Sequence, residues 1–375
     1  MQRPTWVEIN LSNLAFNFLS IKSLLGEQIK YMAVVKADAY GHGAVKCARC
    51  LERAGVDWFA VALPEEGIEL RLNGINKPIL CLGSFWEGQE EAILEYDITP
   101  VIFDLEKAEK LNHLAGRLRK TVKIHVKIDT GMNRVGVRFD RAETFARRLR
   151  SFENLEVEGL MTHFAAADSD KSFTMLQIDR FKESIRIFRS FGFSPIYFDM
   201  ANSPASLGYK EARGNMVRLG GIIYGIWEDI LPDWVERPKL KRVMSFHTKI
   251  SFIKDIPAGE PIGYGLTFRT ERPSVIASLP VGYNDGYPRL LSNRGKVILK
   301  NFYAPVVGRI SMDWTLIDVT DIKGVRLGDE VILIGEKGDL KVSVEDIARI
   351  CGTISYEITC GISKRVYRVY RDDKG

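Results

Sequence analysis

The chain has 375 residues, 46% of them apolar and 27% charged, which is the balance of a globular protein with one large or two smaller domains. A net charge of +5 is too small at this length to indicate nucleic acid or an anionic membrane as the main partner. We find no signal-peptide pattern, no apolar run near the ~20 residues of a membrane span, and no metal-binding histidine spacing. The five cysteines are scattered and odd in number, so we expect a cytoplasmic protein with reduced thiols and no metal.

The first two thirds of the chain repeat one pattern: a short apolar run, a turn, and a stretch with helical spacing. This repeat predicts βα units with a parallel sheet. Eight units fit a closed (β/α)8 TIM barrel of about 250 residues, although an open doubly wound sheet remains an alternative. The apolar runs begin near Tyr31, Trp58, Pro78, Thr99, Val122, Leu155, Ile196 and Asn215.

The last third of the chain has a different pattern. Short β-rich runs such as Val275–Leu279 and Thr315–Val319 alternate with turn sequences, and one helical stretch, Val344–Ile350, interrupts them. This spacing is typical of a mostly antiparallel β domain. We therefore predict a barrel over residues 1–240 followed by a β domain over residues 241–375.

Polar residues at the carboxyl ends of the barrel strands are the first candidates for chemistry, because active sites of this fold lie there. Lys36 follows the first apolar run, where desolvation would lower the pKa of its amine and make it a nucleophile. The alternative is a strand-end lysine that only reaches out to solvent. His125, Lys127 and Asp129 alternate along the fifth strand, which predicts a polar network with Arg134 or a structural ion-pair layer.

The loops after the last two strands are where phosphate groups bind in many barrels. Ser203 stands near a helix start, and Gly220 and Gly221 would let backbone amides approach a phosphate. A phosphate anchor on one side of the mouth and Lys36 on the other is the arrangement that pyridoxal phosphate requires. His163 ends the sixth strand on the same rim.

In the predicted β domain, Tyr264 lies between two glycines, where a ligand could approach its side chain closely. A tyrosine with an ordinary pKa near 10 is a poor base unless neighbouring cations lower that value. An aromatic side chain that only packs in a hairpin is the alternative for Tyr264.

Together these segments resemble the alanine racemases, pyridoxal-phosphate enzymes in which a β domain follows the barrel. The resemblance covers nearly the whole chain and is most specific at Ala33–Gly43. Asp38 and Ser311 depart mildly from the residues that are frequent in the family. Further matching segments are Lys127–Arg134, Met161–Phe164, Arg218–Gly225, Gly263–Phe268, Ser311–Asp313 and Tyr356.

The resemblance implies a role for each matching residue. Lys36 would carry the cofactor and be one base, and Tyr264, from the partner subunit of a homodimer, would be the other. Arg218 would face the pyridine nitrogen, and His163 would link it to Tyr264. The implied catalytic residues are Lys36, Tyr264, Arg218, His163 and Asp313. The implied cofactor-binding residues are Lys36, Tyr40, Asn202, Ser203, Arg218, Gly220, Gly221 and Tyr356.

Three more residues complete the implied site. Arg134 and the backbone of Met312 would bind the substrate carboxylate, and Lys127 would be carbamylated and orient Arg134. The implied reaction interconverts L-alanine and D-alanine with pyridoxal 5'-phosphate and two bases, supplying D-alanine for cell-wall peptidoglycan.

Three other functions are compatible with parts of this pattern. A racemase of the same family could act on serine or lysine, because the side-chain pocket cannot be drawn from the sequence. A decarboxylase of the same fold type is disfavoured by Tyr264 and Arg218. A non-catalytic protein that binds pyridoxal phosphate is disfavoured by the β domain, since such proteins resemble the barrel alone.

Overall fold

The computed structural model describes residues 3–372, and their strands and helices alternate over the first 220 residues. The strands are β1 (Thr5–Asn10), β2 (Lys30–Val34), β3 (Trp58–Val61), β4 (Ile79–Cys81), β5 (Ile98–Ile102), β6 (Val122–Asp129), β7 (Val137–Arg138), β8 (Leu155–Met161), β9 (Tyr197–Asp199), β10 (Met216–Leu219), β11 (Met244–Lys249), β12 (Phe252–Ile256), β13 (Ser274–Leu279), β14 (Lys296–Leu299), β15 (Phe302–Pro305), β16 (Thr315–Asp318), β17 (Glu330–Lys337), β18 (Leu340–Val342) and β19 (Tyr367–Arg371).

The helices begin at short polar residues in several places, because side-chain oxygens of Asn10, Asp104, Asp170 and Ser343 accept backbone N–H groups of the first turn. The helices are α1 (Leu11–Leu25), α2 (Lys36–Tyr40), α3 (Ala44–Arg53), α4 (Pro64–Leu72), α5 (Glu90–Glu95), α6 (Leu105–Arg117), α7 (Ala142–Leu149), α8 (Lys171–Ser190), α9 (Ser203–Gly208), α10 (Val344–Cys351) and α11 (Ser355–Cys360).

Eight parallel strands close into a barrel in the order β2, β3, β4, β5, β6, β8, β9 and β10, and β10 pairs again with β2. Each predicted apolar run contains one of these strands, and the ring excludes the open doubly wound sheet. Large apolar side chains such as Met32, Trp58 and Met161 fill the interior. The barrel is therefore a packed core, and polar groups at the carboxyl ends of its strands meet at one mouth.

The short strand β7 pairs with β6 beside the barrel, and the other strands form the predicted, mostly antiparallel β domain. Its larger sheet has the order β15, β14, β17, β11, β1 and β19, with β18 beside β17. Strand β1 precedes the barrel in the chain and lies in this sheet, between β11 and β19. A second sheet consists of β12, β13 and β16. This arrangement brings α11, near the end of the chain, against α2 at the barrel mouth.

Candidate functional site

Lys36 lies at the barrel mouth, two residues after the end of β2, and is half-buried. The four residues that follow it, Ala37–Tyr40, all have φ between 52° and 54°. The segment α2 is therefore a left-handed turn, which L-residues other than glycine rarely adopt. The turn joins Lys36 to Tyr40 in a strained and closely determined backbone.

Positive charge surrounds the Lys36 amine. Burial lowers the pKa of Lys36, Arg134 and Arg218 lower it further, and the Glu66 carboxylate opposes them. A lowered pKa leaves more of the amine unprotonated, and the unprotonated amine is the form that attacks a carbonyl carbon. The geometry therefore supports the nucleophilic interpretation of Lys36 over a lysine that reaches out to solvent.

A cradle of hydroxyl groups lies at the mouth where β10 ends, beside the end of β2 that leads into Lys36. A Cβ built on Gly220 would lie 2.8 Å from the Tyr40 hydroxyl, and one on Gly221 would lie 2.6 Å from the Tyr356 hydroxyl. A larger residue at either position would displace a tyrosine hydroxyl of the cradle. The Ser203 Oγ accepts the Gly220 N–H at 2.9 Å. Three hydroxyls and two close backbone segments form a site that suits the oxygens of a phosphate group.

Two further features define this cradle. The Tyr40 and Tyr356 rings are 5.3 Å apart, so α11 of the β domain completes a site that the barrel begins. Burial raises the pKa of both phenols, which stay protonated and can donate hydrogen bonds to an anion. Asn202 caps α9 by accepting the Ala205 N–H at 3.2 Å, beside Ser203.

Arg218 is the most completely engaged side chain at the mouth. Its Nη2 donates to the Thr162 carbonyl at 2.9 Å and contacts His163 Nδ1 at 3.1 Å, and its Nη1 forms an ion pair with Asp199. Within residues 3–372 the hydrogen bonds of this guanidinium use Nη1 and Nη2, which leaves the Nε–H for a ligand. Arg218 is 3% exposed and Asp199 is fully buried.

Burial is the main influence on the pKa values of Asp199 and His163, the two side chains that contact Arg218. Burial raises the pKa of the Asp199 carboxyl, and Arg218 opposes that rise. Burial, then Arg218 and Lys127, hold the pKa of His163 well below its usual range, so its imidazole is neutral. Because His163 Nδ1 accepts from Arg218, its proton is on Nε2. The ring can therefore donate a hydrogen bond away from Arg218.

The polar residues of β6 occupy different depths of the barrel. Lys127 is 6% exposed, and burial, with Arg218 and Arg134, lowers its pKa to about 8. Asp129 accepts the N–H groups of Gly131 and Asn133 and so shapes the loop that carries Arg134. The predicted hydrogen-bonded network with Arg134 does not form among the described residues, because the Arg134 side chain is exposed.

His125 belongs to the barrel core and not to the mouth. Its ring is fully buried between Trp58 and Tyr197, and its Nε2 lies 3.9 Å from a Glu158 oxygen. Burial lowers its pKa to about 3, so it is neutral. From His125 onward β6 pairs with β8 in continuous register, so His125 shares a face of the strand with Lys127 and lies deeper in the barrel.

Tyr264, Met312 and Asp313 lie in a second cluster on the β domain. Tyr264 is 73% exposed and Met312 is 51% exposed. Asp313 accepts a hydrogen bond from Arg365 at 2.6 Å. We call this the Tyr264 cluster; it surrounds an open cavity of about 400 Å³ lined by Tyr264, Tyr283, Arg289, Arg309, Ile310, Ser311, Met312, Asp313 and Trp314.

Two residues of the mouth escaped the sequence analysis. Asp199 is the buried counter-ion of Arg218, and Glu66 accepts the Ala37 N–H at 2.6 Å. Asp199 ends the strand before Asn202, so its place at a strand end was a usable signal. Glu66 lies in the first turn of α4, five residues after the end of β3, and its position two residues after Pro64 signals a helix cap but not a contact with Ala37.

The comparisons with known proteins come from sequence and from structure. A family model described as "Alanine racemase, N-terminal domain" matches residues 9–227, and "Alanine racemase, C-terminal domain" matches residues 243–370. An alanine racemase of Halothermothrix orenii is 46% identical over 379 residues, covering 100% of this chain and 98% of the relative. Along the described part of the chain, helices are too short or too polar to cross a membrane.

Solved structures give the same result. The alanine racemase of Clostridium difficile 630 superimposes with a TM-score of 0.93 at 41% identity, covering 100% of this chain and 97% of the other. The alanine racemase of Bartonella henselae, solved with covalently bound pyridoxal phosphate, has a TM-score of 0.88 at 29% identity, covering 98% of this chain and 99% of the other.

Proposed function

The chain belongs to the alanine racemase family, the isomerases that interconvert L- and D-alanine, and from this premise we propose roles for its residues. Lys36 and Tyr264 are the two bases, one for each face of the substrate α-carbon. Pyridoxal 5'-phosphate is held in the barrel mouth, and Tyr264 comes from the partner subunit of a homodimer. The observation that carries the proposal is the hydroxyl cradle of Tyr40, Ser203 and Tyr356 at the same barrel mouth as Lys36.

The residues of the mouth fit pyridoxal phosphate at each of its polar groups. The three hydroxyls and the backbone at Gly220 and Gly221 would hold the phosphate. The Lys36 amine would hold the aldehyde carbon, and the free Nε–H of Arg218 would face the ring nitrogen. When bound, the cofactor supplies an electron-withdrawing ring that makes the α-hydrogen of an attached amino acid acidic.

Arg218 sets the protonation state of the site. A guanidinium donates hydrogen bonds but keeps its protons, so it leaves the facing ring nitrogen unprotonated. The Asp199 counter-ion and the Thr162 carbonyl fix its orientation. Arg218 would thereby moderate the electron withdrawal that the cofactor supplies, which would favour return of the proton to the α-carbon.

Tyr264 acts as a base only if its phenol loses its proton. We place it, from the partner subunit, next to His163, whose Nε2–H would donate to the phenolate oxygen. The charge of Arg218 lies directly behind His163, at 3.1 Å. A cation behind a neutral hydrogen-bond donor stabilises a phenolate. In this arrangement Tyr264 removes the α-proton of L-alanine and Lys36 removes that of D-alanine.

The exposure of the Tyr264 cluster supports the proposed homodimer. Tyr264, Met312 and Trp314 are 73%, 51% and 46% exposed in the single chain. An exposed group of large apolar and aromatic side chains marks an interaction surface. A second copy would cover the cluster and bring Tyr264 and the Met312 amide to the partner's mouth, with Arg134 and Met312 on the substrate carboxylate. We place the reaction in the cytoplasm, where D-alanine would be available for peptidoglycan.

Borohydride reduction of the purified protein with pyridoxal phosphate, followed by peptide mapping, tests the cofactor site. The pyridoxyl label should be on Lys36, and a label on another lysine would refute the assignment. A chiral assay with alanine, serine and lysine should show racemisation of alanine above the other two. Faster racemisation of serine or lysine would replace the proposed substrate and leave the cofactor site intact.

A further inference from the structure

The left-handed turn after Lys36 needs support from outside itself. Four consecutive non-glycine residues, Ala37–Tyr40, have positive φ, and three of them also have ψ near 50°. Each such residue costs on the order of 1–2 kcal/mol, and left-handed runs do not form on propensity alone. Strained backbone of this kind persists only where surrounding groups determine it.

Contacts at the far end of the turn are plentiful: the Tyr40 ring packs against Tyr356, and Arg368 Nε donates to the Gly41 carbonyl at 3.3 Å. Asp38 accepts the Ala44 N–H at 2.7 Å, and His42 Nδ1 contacts the carbonyls of Ala39 and Tyr40 at 2.9 and 3.0 Å. These bonds fix the turn at Tyr40. They do not reach the peptide that follows Lys36.

The near end of the turn is held by one carboxylate from another element. Glu66 Oε1 accepts the Ala37 N–H at 2.6 Å. Its Oε2 accepts the N–H groups of Ala62 at 2.7 Å and Leu63 at 3.2 Å, where β3 passes into α4. One side chain therefore ties the residue after Lys36 to the neighbouring barrel strand.

We propose that Glu66 is a positioning residue for Lys36: its carboxylate holds the left-handed turn and thereby sets the spacing between the Lys36 amine and the Tyr40 hydroxyl. The inference rests on the proposed function, in which these two groups hold opposite ends of the cofactor. A carboxylate is suited to this role because it only accepts hydrogen bonds and faces three N–H donors. The same charge faces the Lys36 amine and opposes the lowering of its pKa.

Glu66→Gln is the informative change, because glutamine keeps the shape and replaces one oxygen with an NH2 group. In either orientation of the amide, the NH2 group faces an N–H donor, and at least one of the three hydrogen bonds is lost. Glu65→Gln is the matched control. Glu65 is the preceding residue of α4, is exposed, and bonds Gln89 rather than the turn.

The first measurement is the affinity of each apoprotein for pyridoxal phosphate, followed by absorbance. Glu66→Gln should weaken binding about tenfold or more, as expected for losing a hydrogen bond to a charged group, and Glu65→Gln should match the wild type. The pH at which the absorbance of the Lys36-bound cofactor changes should shift in Glu66→Gln alone. Equal affinity and equal titration in the two variants would overturn the proposal.

Hydrogen exchange of the apoproteins provides a readout that does not involve the cofactor. Amides of the 36–40 segment should exchange faster in Glu66→Gln, while those of α6 stay unchanged. Uniformly faster exchange with unchanged cofactor affinity would show a purely structural role and overturn the proposal. If Glu66→Gln does not fold, Glu66→Asp takes the same test, since a carboxylate one methylene shorter keeps the charge but cannot span Ala37 and Ala62.

The outcomes separate this inference from the proposed function. If the wild type itself binds pyridoxal phosphate at a lysine other than Lys36, the proposed function fails. If the wild type and Glu65→Gln bind it at Lys36 and Glu66→Gln binds it equally well, only the role of Glu66 fails.

Discussion

The barrel mouth and the Tyr264 cluster hold the two proposed bases, and the chain builds them in opposite ways. Around Lys36, polar groups are buried and paired within the chain: Arg218 is 3% exposed and its counter-ion Asp199 is fully buried. Tyr264 is 73% exposed at the edge of an open cavity. In the proposed function, one chain therefore supplies the whole cofactor cradle but only half of the two-base site.

The largest effect should come from removing the base of the exposed region. Tyr264→Phe keeps the ring and deletes the hydroxyl, so racemisation should fall about 10²–10⁴-fold, the contribution of general-base catalysis. Cofactor absorbance should survive, because the mouth is built without Tyr264. In deuterated water the variant should still exchange the α-hydrogen of D-alanine, whereas exchange from L-alanine should largely stop. Equal loss for both enantiomers would mean that Tyr264 positions the substrate and is not the L-face base.

The second prediction compares how much one ion pair in each region contributes to the free energy of unfolding. Asp199→Asn leaves the buried Arg218 without its counter-ion, and the free energy of unfolding should fall by about 3–5 kcal/mol. Asp313→Asn breaks the exposed pair with Arg365 in the Tyr264 cluster and should cost less than about 1 kcal/mol. Urea unfolding of both variants measures the difference. Similar small losses would contradict the view that the mouth is the rigid half of the site.

The smallest effect concerns Lys127, which we predict to be carbamylated. Its neutral amine would attack carbon dioxide, forming an N–C bond and releasing one proton, and the product anion would attract Arg134. If Lys127 is unmodified, its pKa of about 8 lies below the 10.5 of the unfolded chain. The unfolded state then holds the proton more tightly between those values, and stability should rise by up to about 3 kcal/mol as the pH increases through that range.

Bicarbonate should stabilise the protein near pH 8 and flatten this pH dependence, because a carbamate does not titrate there. Lys127→Met is the control and should show neither effect. Peptide mass spectrometry should find Lys127 heavier by one carbon dioxide, and Lys127→Ala should regain part of its activity with added acetate. An unmodified mass and an unchanged pH profile in bicarbonate would refute carbamylation.

The sequence predicts the fold well because barrel strands are buried on both faces. Each one is a short apolar run bounded by turns, and all eight runs contain a strand. Strand-end position also placed Lys36 and His163 at the mouth, since parallel strands in a barrel bring their carboxyl ends to one mouth. Both predictions need only the local pattern of apolar residues and the rule that barrel strands end at one mouth.

Local sequence pattern and strand-end position do not predict the contacts of Asp199 and Glu66. Each acts through a partner from a different βα unit, and such pairing depends on register, side-chain direction and a left-handed turn that no propensity favours. The polar face of β6 also shows that sequence pattern does not predict how deeply a side chain lies in the barrel. Alternation puts His125, Lys127 and Asp129 on one face of β6, but it does not show that His125 lies deep in the core, against Trp58 and Tyr197.

Subunit mixing tests most directly whether the two regions form one site across a dimer. Lys36→Ala and Tyr264→Phe should each be nearly inactive, and each homodimer lacks one base in both sites. In a mixed dimer one site keeps Lys36 from one subunit and Tyr264 from the other. After verified random exchange of equal amounts, about a quarter of all sites should be intact, so about a quarter of wild-type activity should return. No recovery after verified exchange would contradict the shared site.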